Sequence, residues 1–177
     1  GDFTRHQEAL DTLGVAHTLI YKPEALAHCD RLIIPGGESS TLLKLMEHTT
    51  FFTEIKAFAA AQKPILGTCA GLILLAKNVS PDQASLGLLD ITVTRNAYGR
   101  QLESFSDFGT FGKSSAPLPI VCVRAPKITQ IADSITPLVH YKDQIMAVQQ
   151  GSILGASFHP ELSMDLDNRL LQHFIDL

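Results

Sequence analysis

Five residues constrain this chain more than any others: Gly67-Thr68-Cys69-Ala70-Gly71. They lie between Pro64-Ile65-Leu66-Gly67, a short strand by pattern, and Gly71 to Lys77, which reads as a helix. A glycine two residues before and after a central nucleophilic side chain marks a sharp strand-to-helix turn, where the backbone leaves little space on either side. Such a turn holds its central side chain out above a sheet, at a helix N-terminus whose positive end favours the thiolate. The backbone N–H of Ala70 can then point at a developing oxyanion. The same five residues also describe a buried cysteine in a tight turn, and alone they do not separate the two.

The rest of the chain alternates in the way that such a turn requires. Phe3, Ala9, Leu10 and Leu13 fall on one helical face, with Gly14 as a C-cap. Ala16 to Tyr21 reads as a short strand, and Arg31-Leu32-Ile33-Ile34 as a buried strand stopped by Pro35-Gly36-Gly37. Ser39 or Ser40 serves as N-cap for a helix over Thr41–Glu47, and a second helix runs from about Phe51 to Ala61. The second half reads mostly as strands: Leu88 to Thr94, Leu118 to Val123, and a meander of Val139–Tyr141, Ile145–Gln149 and Ile153–Phe158 turning at Gln150-Gly151. Glu103 to Pro119, rich in Gly, Ser and Pro, reads as a loop, and Leu162 to Leu177 as a closing amphipathic helix. No repeat or linker divides the chain, so residues 1–177 are read as one domain: an α/β sheet with an antiparallel flank.

Composition excludes several function classes. A chain of 177 residues buries roughly 70% of its surface on folding and needs no metal or disulfide staple. A net charge of −4 without a lysine–arginine cluster argues against nucleic acid. The longest uncharged stretch, Pro64 to Ala76, would span only about 20 Å as a helix, short of the ~30 Å hydrocarbon core. Three cysteines (Cys29, Cys69, Cys122) without a C-x-x-C point to a reducing compartment. With no signal-peptide layout at the N-terminus, that compartment is the cytoplasm. His6, His17, His28, His48, His140 and His173 show no metal-ligand spacing.

Two further motifs carry chemistry. His159-Pro160-Glu161 follows a strand, and in extended chain residues i and i+2 share a face, as a base and its orienter would. The same tripeptide also reads as a strand-end histidine beside a solvated glutamate. Pro35-Gly36-Gly37-Glu38-Ser39-Ser40 lies after a strand and before a helix, where backbone N–H groups face an anion. Without G-K-[ST] it is no P-loop, and it fits a second oxyanion donor and substrate clamp, or simply a turn.

Four segments in order are more specific than their parts: Leu32 to Thr41 with Pro-Gly-Gly-Glu-Ser-Ser-Thr, Gly67 to Ala76, Arg95-Asn96-Ala97-Tyr98-Gly99-Arg100-Gln101, and Ser157 to Leu162. Together they resemble the glutaminase subunits of pyridoxal 5′-phosphate synthase, within the class I (triad) glutamine amidotransferases, over nearly the whole chain. The resemblance implies a three-layer α/β sandwich: a mostly parallel central sheet, helices on both faces and an antiparallel flank. It implies hydrolysis of glutamine to glutamate and ammonia without a cofactor, the ammonia passing to a synthase subunit in a hetero-oligomer. It implies Cys69 as nucleophile, His159 as base and Glu161 as orienter, with Gly36, Gly37 and Ala70 at the oxyanion. Gly37, Glu38, Ser39, Arg95, Val123 and Arg124 match its glutamine-binding residues; as bare sequence, Arg95 and Arg124 are surface charges. Other readings are a glutaminase serving another synthase, a cysteine peptidase of similar fold, or a non-catalytic scaffold subunit. Members of that family begin with a strand before the Gly-Asp-Phe seen here as Gly1-Asp2-Phe3, so this sequence starts where that strand ends. Without it, two sheet edges are expected to stand unpaired.

Overall fold

The computed structural model describes residues 3–96, 104–114, 116–163 and 167–177. In chain order the helices are α1 (Phe3–Thr12), α2 (Ser39–Met46), α3 (Phe51–Ala60), α4 (Ala70–Leu75) and α5 (Arg169–Ile175). The strands are β1 (Leu32–Ile34), β2 (Ile65–Thr68), β3 (Ala76–Ser80), β4 (Leu89–Thr94), β5 (Ser104–Phe111), β6 (Pro117–Val123), β7 (Lys127–Ile131), β8 (Thr136–Tyr141), β9 (Gln144–Gln150) and β10 (Ile153–Ala156). Short 3₁₀ turns cover Pro23–His28 and Pro160–Leu162.

Seven strands form one sheet in the order β1-β2-β10-β9-β8-β5-β6, and β3-β4-β7 form a smaller one beside it. Parallel pairing in the large sheet joins β1, β2 and β10, with Ile34 opposite Gly67 and Thr68 opposite Ala156. The hairpin-linked strands beyond them pair antiparallel. The three parallel strands therefore end at one level, and the residues just after them gather at a single edge. In α/β sheets that edge is where ligands bind.

Successive strand residues point to opposite faces, and the core divides accordingly. Ile65, Val148 and Ile153 pack on one face with Ile55 and Phe58 of α3 and Leu72, Leu74 and Leu75 of α4. Leu66, Ala147 and Leu154 pack on the other with Ala9 of α1 and Leu170, Leu171 and Phe174 of α5. The result is three layers, the α/β sandwich expected from the sequence. Every residue of α4 is buried, which suits its apolar sequence Ala-Gly-Leu-Ile-Leu-Leu.

Several local expectations need correction. Ala16 to Tyr21 joins neither sheet among the described residues, because half-buried alternation without a ladder partner makes no strand. β1 stands at the edge of the large sheet. Glu38, not Ser39 or Ser40, caps α2, its carboxylate accepting from the Ser40 N–H and, at 3.1 Å, from the Ser40 hydroxyl. The helix after the Cys69 turn stops at Leu75, and Ala76 and Lys77 open β3 instead. The presumed loop from Glu103 to Pro119 contains β5, whose glycine and serines are held by ladders to β6 and β8 on both sides. The closing helix is shorter than expected, since Pro160–Leu162 forms a 3₁₀ turn and the Asp167 carboxylate accepts the Arg169 N–H at 2.8 Å. Phe3 faces outward on α1, and His6 takes its place beside Ala9 on the buried face.

The two glycines of the turn answer to close approach. A Cβ on Gly67 would lie 2.6 Å from the backbone of Gly71, and one on Gly71 would overlap the Ile34 carbonyl oxygen. Gly71→Ala is expected to destabilise the protein by about 2 kcal/mol or more through overpacking against immovable backbone. The check is thermal unfolding, with a fall in Tm of roughly 4–8 °C.

Candidate active site

Cys69 sits between β2 and α4 with φ +50° and ψ −104°, a conformation that L residues rarely adopt. Its backbone N–H donates to the Ala156 carbonyl at 2.8 Å, extending the β2–β10 ladder by one bond and fixing the turn. The Sγ donates to the Val123 carbonyl at 3.7 Å. β6 lies at the far end of the seven-strand order, so this contact requires the sheet to curl back on itself. The same strand accepts the His159 N–H at the Val121 carbonyl, 2.8 Å away. Nucleophile and base thus hang from adjacent parallel strands and are both tied to β6.

His159 and Glu161 meet as expected, by a different local geometry. Pro160 opens a 3₁₀ turn that folds Glu161 back, and His159 Nδ1 stands 2.7 Å from Glu161 Oε1. The Glu161 side chain is 1% exposed and that of His159 12%. Burial works to lower the His159 pKa, but hydrogen bonds to Cys69 and Glu161, reinforced by their charges, raise it from 6.5 to about 10. His159 therefore holds its proton at neutral pH, between a sulfur and a carboxylate. Cys122, buried close by on β6, is pushed the other way: burial first, and the Cys69 charge second, raise its thiol to about 12. It stays a protonated, inert packing residue.

The glycine loop reaches the same point. A Cβ on Gly36 would stand 2.5 Å from His159 Cε1 and 3.3 Å from Cys69 Cβ, so only glycine lets this backbone pass the imidazole. Gly37 follows with φ +125°. A cleft of about 500 Å³ opens beside them, lined by Gly37, Glu38, Ser39, Cys69, Arg95, Val123, Arg124, His159 and Glu161 among others. All six residues matched to glutamine binding thus line one cleft with the three matched to catalysis. Gly36 and Ala70 lie buried behind it. Of the Arg95–Gln101 element, Ala97, Tyr98, Gly99, Arg100 and Gln101 lie outside the described residues. Cys29, Cys69 and Cys122 are free thiols, and no metal-holding group of side chains occurs among the described residues.

Two residues at this site escaped the motifs. Gln83 accepts from the Ser39 hydroxyl at 2.9 Å and from Arg95, linking two cleft residues from an otherwise featureless loop. His6 reaches Glu161 from α1. A histidine on the buried stripe of an amphipathic helix was the available signal for it.

A strained cysteine elbow, a histidine–glutamate pair and a glycine loop at the carboxyl ends of parallel strands define a triad amidotransferase site. The chain belongs to the SNO glutamine amidotransferase family, whose model matches residues 1–177. It is 44% identical over 178 residues to the pyridoxal 5′-phosphate synthase subunit PdxT of Geobacillus kaustophilus (strain HTA426), covering 100% of this chain and 90% of that one. The PdxT subunit of Roseiflexus sp. (strain RS-1) is 41% identical over 180 residues, covering 99% and 94%. A crystal structure of a glutamine amidotransferase superposes with a TM-score of 0.92 at 37% identity, covering 99% of this chain and 93% of the other. PurLQS of Thermotoga maritima, at 16% identity and a TM-score of 0.73, shares the fold, covering 98% and 91%.

Proposed function

We infer that this chain is the glutaminase subunit of a pyridoxal 5′-phosphate synthase, working through Cys69, His159 and Glu161. The observation that carries the catalytic assignment is their convergence: the elbow cysteine and the Glu161-bound imidazole share one cleft with the glutamine-binding loop. The Cys69 thiolate attacks the side-chain carboxamide carbon of glutamine, and the carbonyl oxygen becomes an oxyanion. Gly36 or Gly37 and Ala70 supply backbone N–H donors to it. The imidazolium of His159 gives its proton to the departing nitrogen, and ammonia leaves a thioester. Water, deprotonated by His159, hydrolyses the thioester and releases glutamate with the cysteine restored. Arg95 and Arg124 offer guanidinium groups to the substrate's α-carboxylate.

No step requires a cofactor. Ammonia becomes ammonium in bulk water, so the product is useful only to a synthase subunit docked against this one. We assign the pair to the cytoplasm, where the three thiols stay reduced. Gly37 permits more than one peptide orientation, and a misdirected oxyanion donor typically costs about 10²–10³ in rate. The free subunit is therefore expected to be a poor glutaminase that its partner switches on. Glutamate release from glutamine, measured with the chain alone and with saturating synthase subunit, tests this. Equal kcat in both would mean that the loop is already set, and release from neither would refute the glutaminase reading.

A further inference from the structure

We propose that His6 is a positioning residue of the triad, its Nε2 linking the Glu161 carboxylate to the Thr68 hydroxyl beside the nucleophile. The proposal rests on the assignment of Cys69, His159 and Glu161 as the catalytic set. His6 Nε2 lies 3.4 Å from Glu161 Oε1 and 3.3 Å from Thr68 Oγ1. All three groups are buried: His6 is 6% exposed, Thr68 0% and Glu161 5%.

A lone imidazole contact leaves a carboxylate free to turn about its terminal torsion, which is broad and weakly restrained. Glu161 Oε1 is held from two sides, by His159 Nδ1 at 2.7 Å and by His6 Nε2 at 3.4 Å. Glu161 Oε2 has no hydrogen-bond partner among the described residues. The anchoring of this carboxylate therefore falls on Oε1 and on the two rings that meet there. Thr68 adds the second half of the argument. It is the last residue of β2, directly before Cys69, and its hydroxyl meets the same imidazole nitrogen. His6 thus couples the orienter to the strand that delivers the nucleophile, from a helix that touches no other part of the reaction. Its Nε2–H donates to the carboxylate, and the hydroxyl shares the same nitrogen.

The test compares kcat and KM for glutamine in the complex with the synthase subunit. His6→Leu, which removes the donor and keeps an apolar volume, is expected to lower kcat about 10–10²-fold with KM within about two-fold, the scale of an ångström of misplacement. His6→Gln, whose amide reaches the Nε2 position, is expected to restore most of kcat. His6→Asn, whose amide stops at the Nδ1 position, is not. Because His6 acts through Glu161, adding His6→Leu to Glu161→Gln is expected to cost less than about three-fold more. Wild-type kcat in His6→Leu, a loss entirely in KM, or a full multiplicative loss in the double variant would overturn the proposal. If His6→Leu does not fold, the Gln and Asn variants decide: equal kcat in the two overturns it, and at least five-fold more in Gln supports it. Undiminished glutamate release by Cys69→Ala would instead sink the triad assignment, before any His6 variant is read.

Discussion

Cys69→Ala is expected to abolish glutamine hydrolysis and leave the fold in place. The thiol makes the only covalent bond to substrate in the proposed route, so without it neither the oxyanion loop nor His159 has an acyl group to act on. Residual turnover from binding and an oxyanion hole alone is small against the enzyme, as triad knock-outs in other hydrolases show. The fold survives because little is removed. Cys69 is 5% exposed, and its strained φ of +50° is as hard for alanine as for cysteine. One buried sulfur contributes about 1 kcal/mol, a fall of about 2–4 °C in Tm for a domain of this size. The measurement is glutamate production by the pure variant with its synthase partner, beside a thermal melt. Turnover that persists in a well-folded variant removes Cys69 from the mechanism.

The parts of the site legible in the sequence are those fixed by sterics over a few residues. Gly67 and Gly71 could be read because a turn that sharp brings their backbones within a Cβ of each other. β4 could be read because Leu89, Ile91 and Val93 alternate with polar residues, and the structure buries those three. The pairing of His159 with Glu161 was legible although the extended geometry behind it was wrong, since a 3₁₀ turn also brings i and i+2 together.

What stayed hidden depends on partners distant in sequence. β5 looks like a loop by composition, and only the ladders to β6 and β8 make it a strand. β3 begins where an apolar helix should continue, because Ala76 pairs with Leu89 of β4. Gln83 and His6 have no motif around them. Each acquires its role from a contact made 44 residues away to Ser39 or 62 residues away to Thr68. The curl that carries Val121 and Val123 back to His159 and Cys69 is likewise a property of the whole sheet.

Glu161→Gln should lower kcat by about 10²–10⁴, with a much smaller change in KM; the corresponding acid-to-amide change in a serine triad costs about 10⁴. The cause lies in the proton on His159. Burial alone would lower that pKa, and the hydrogen bonds and charges of Cys69 and Glu161 raise it to about 10. An amide removes the Glu161 charge and can present N–H to Nδ1, turning the ring to the wrong tautomer. The imidazolium is then less favoured, so the alkaline limb of kcat/KM moves to lower pH. Stability follows the same proton. A folded-state pKa raised above 6.5 gives stability that is complete below 6.5 and lost as pH rises through about 10. The variant's unfolding free energy should therefore vary less over that interval than the wild type's. Steady-state kinetics and denaturant unfolding from pH 6 to 10 read both effects. An alkaline limb that does not move would show that Glu161 does not hold the His159 proton. A loss confined to KM would make Glu161 a substrate contact rather than the orienter of the base.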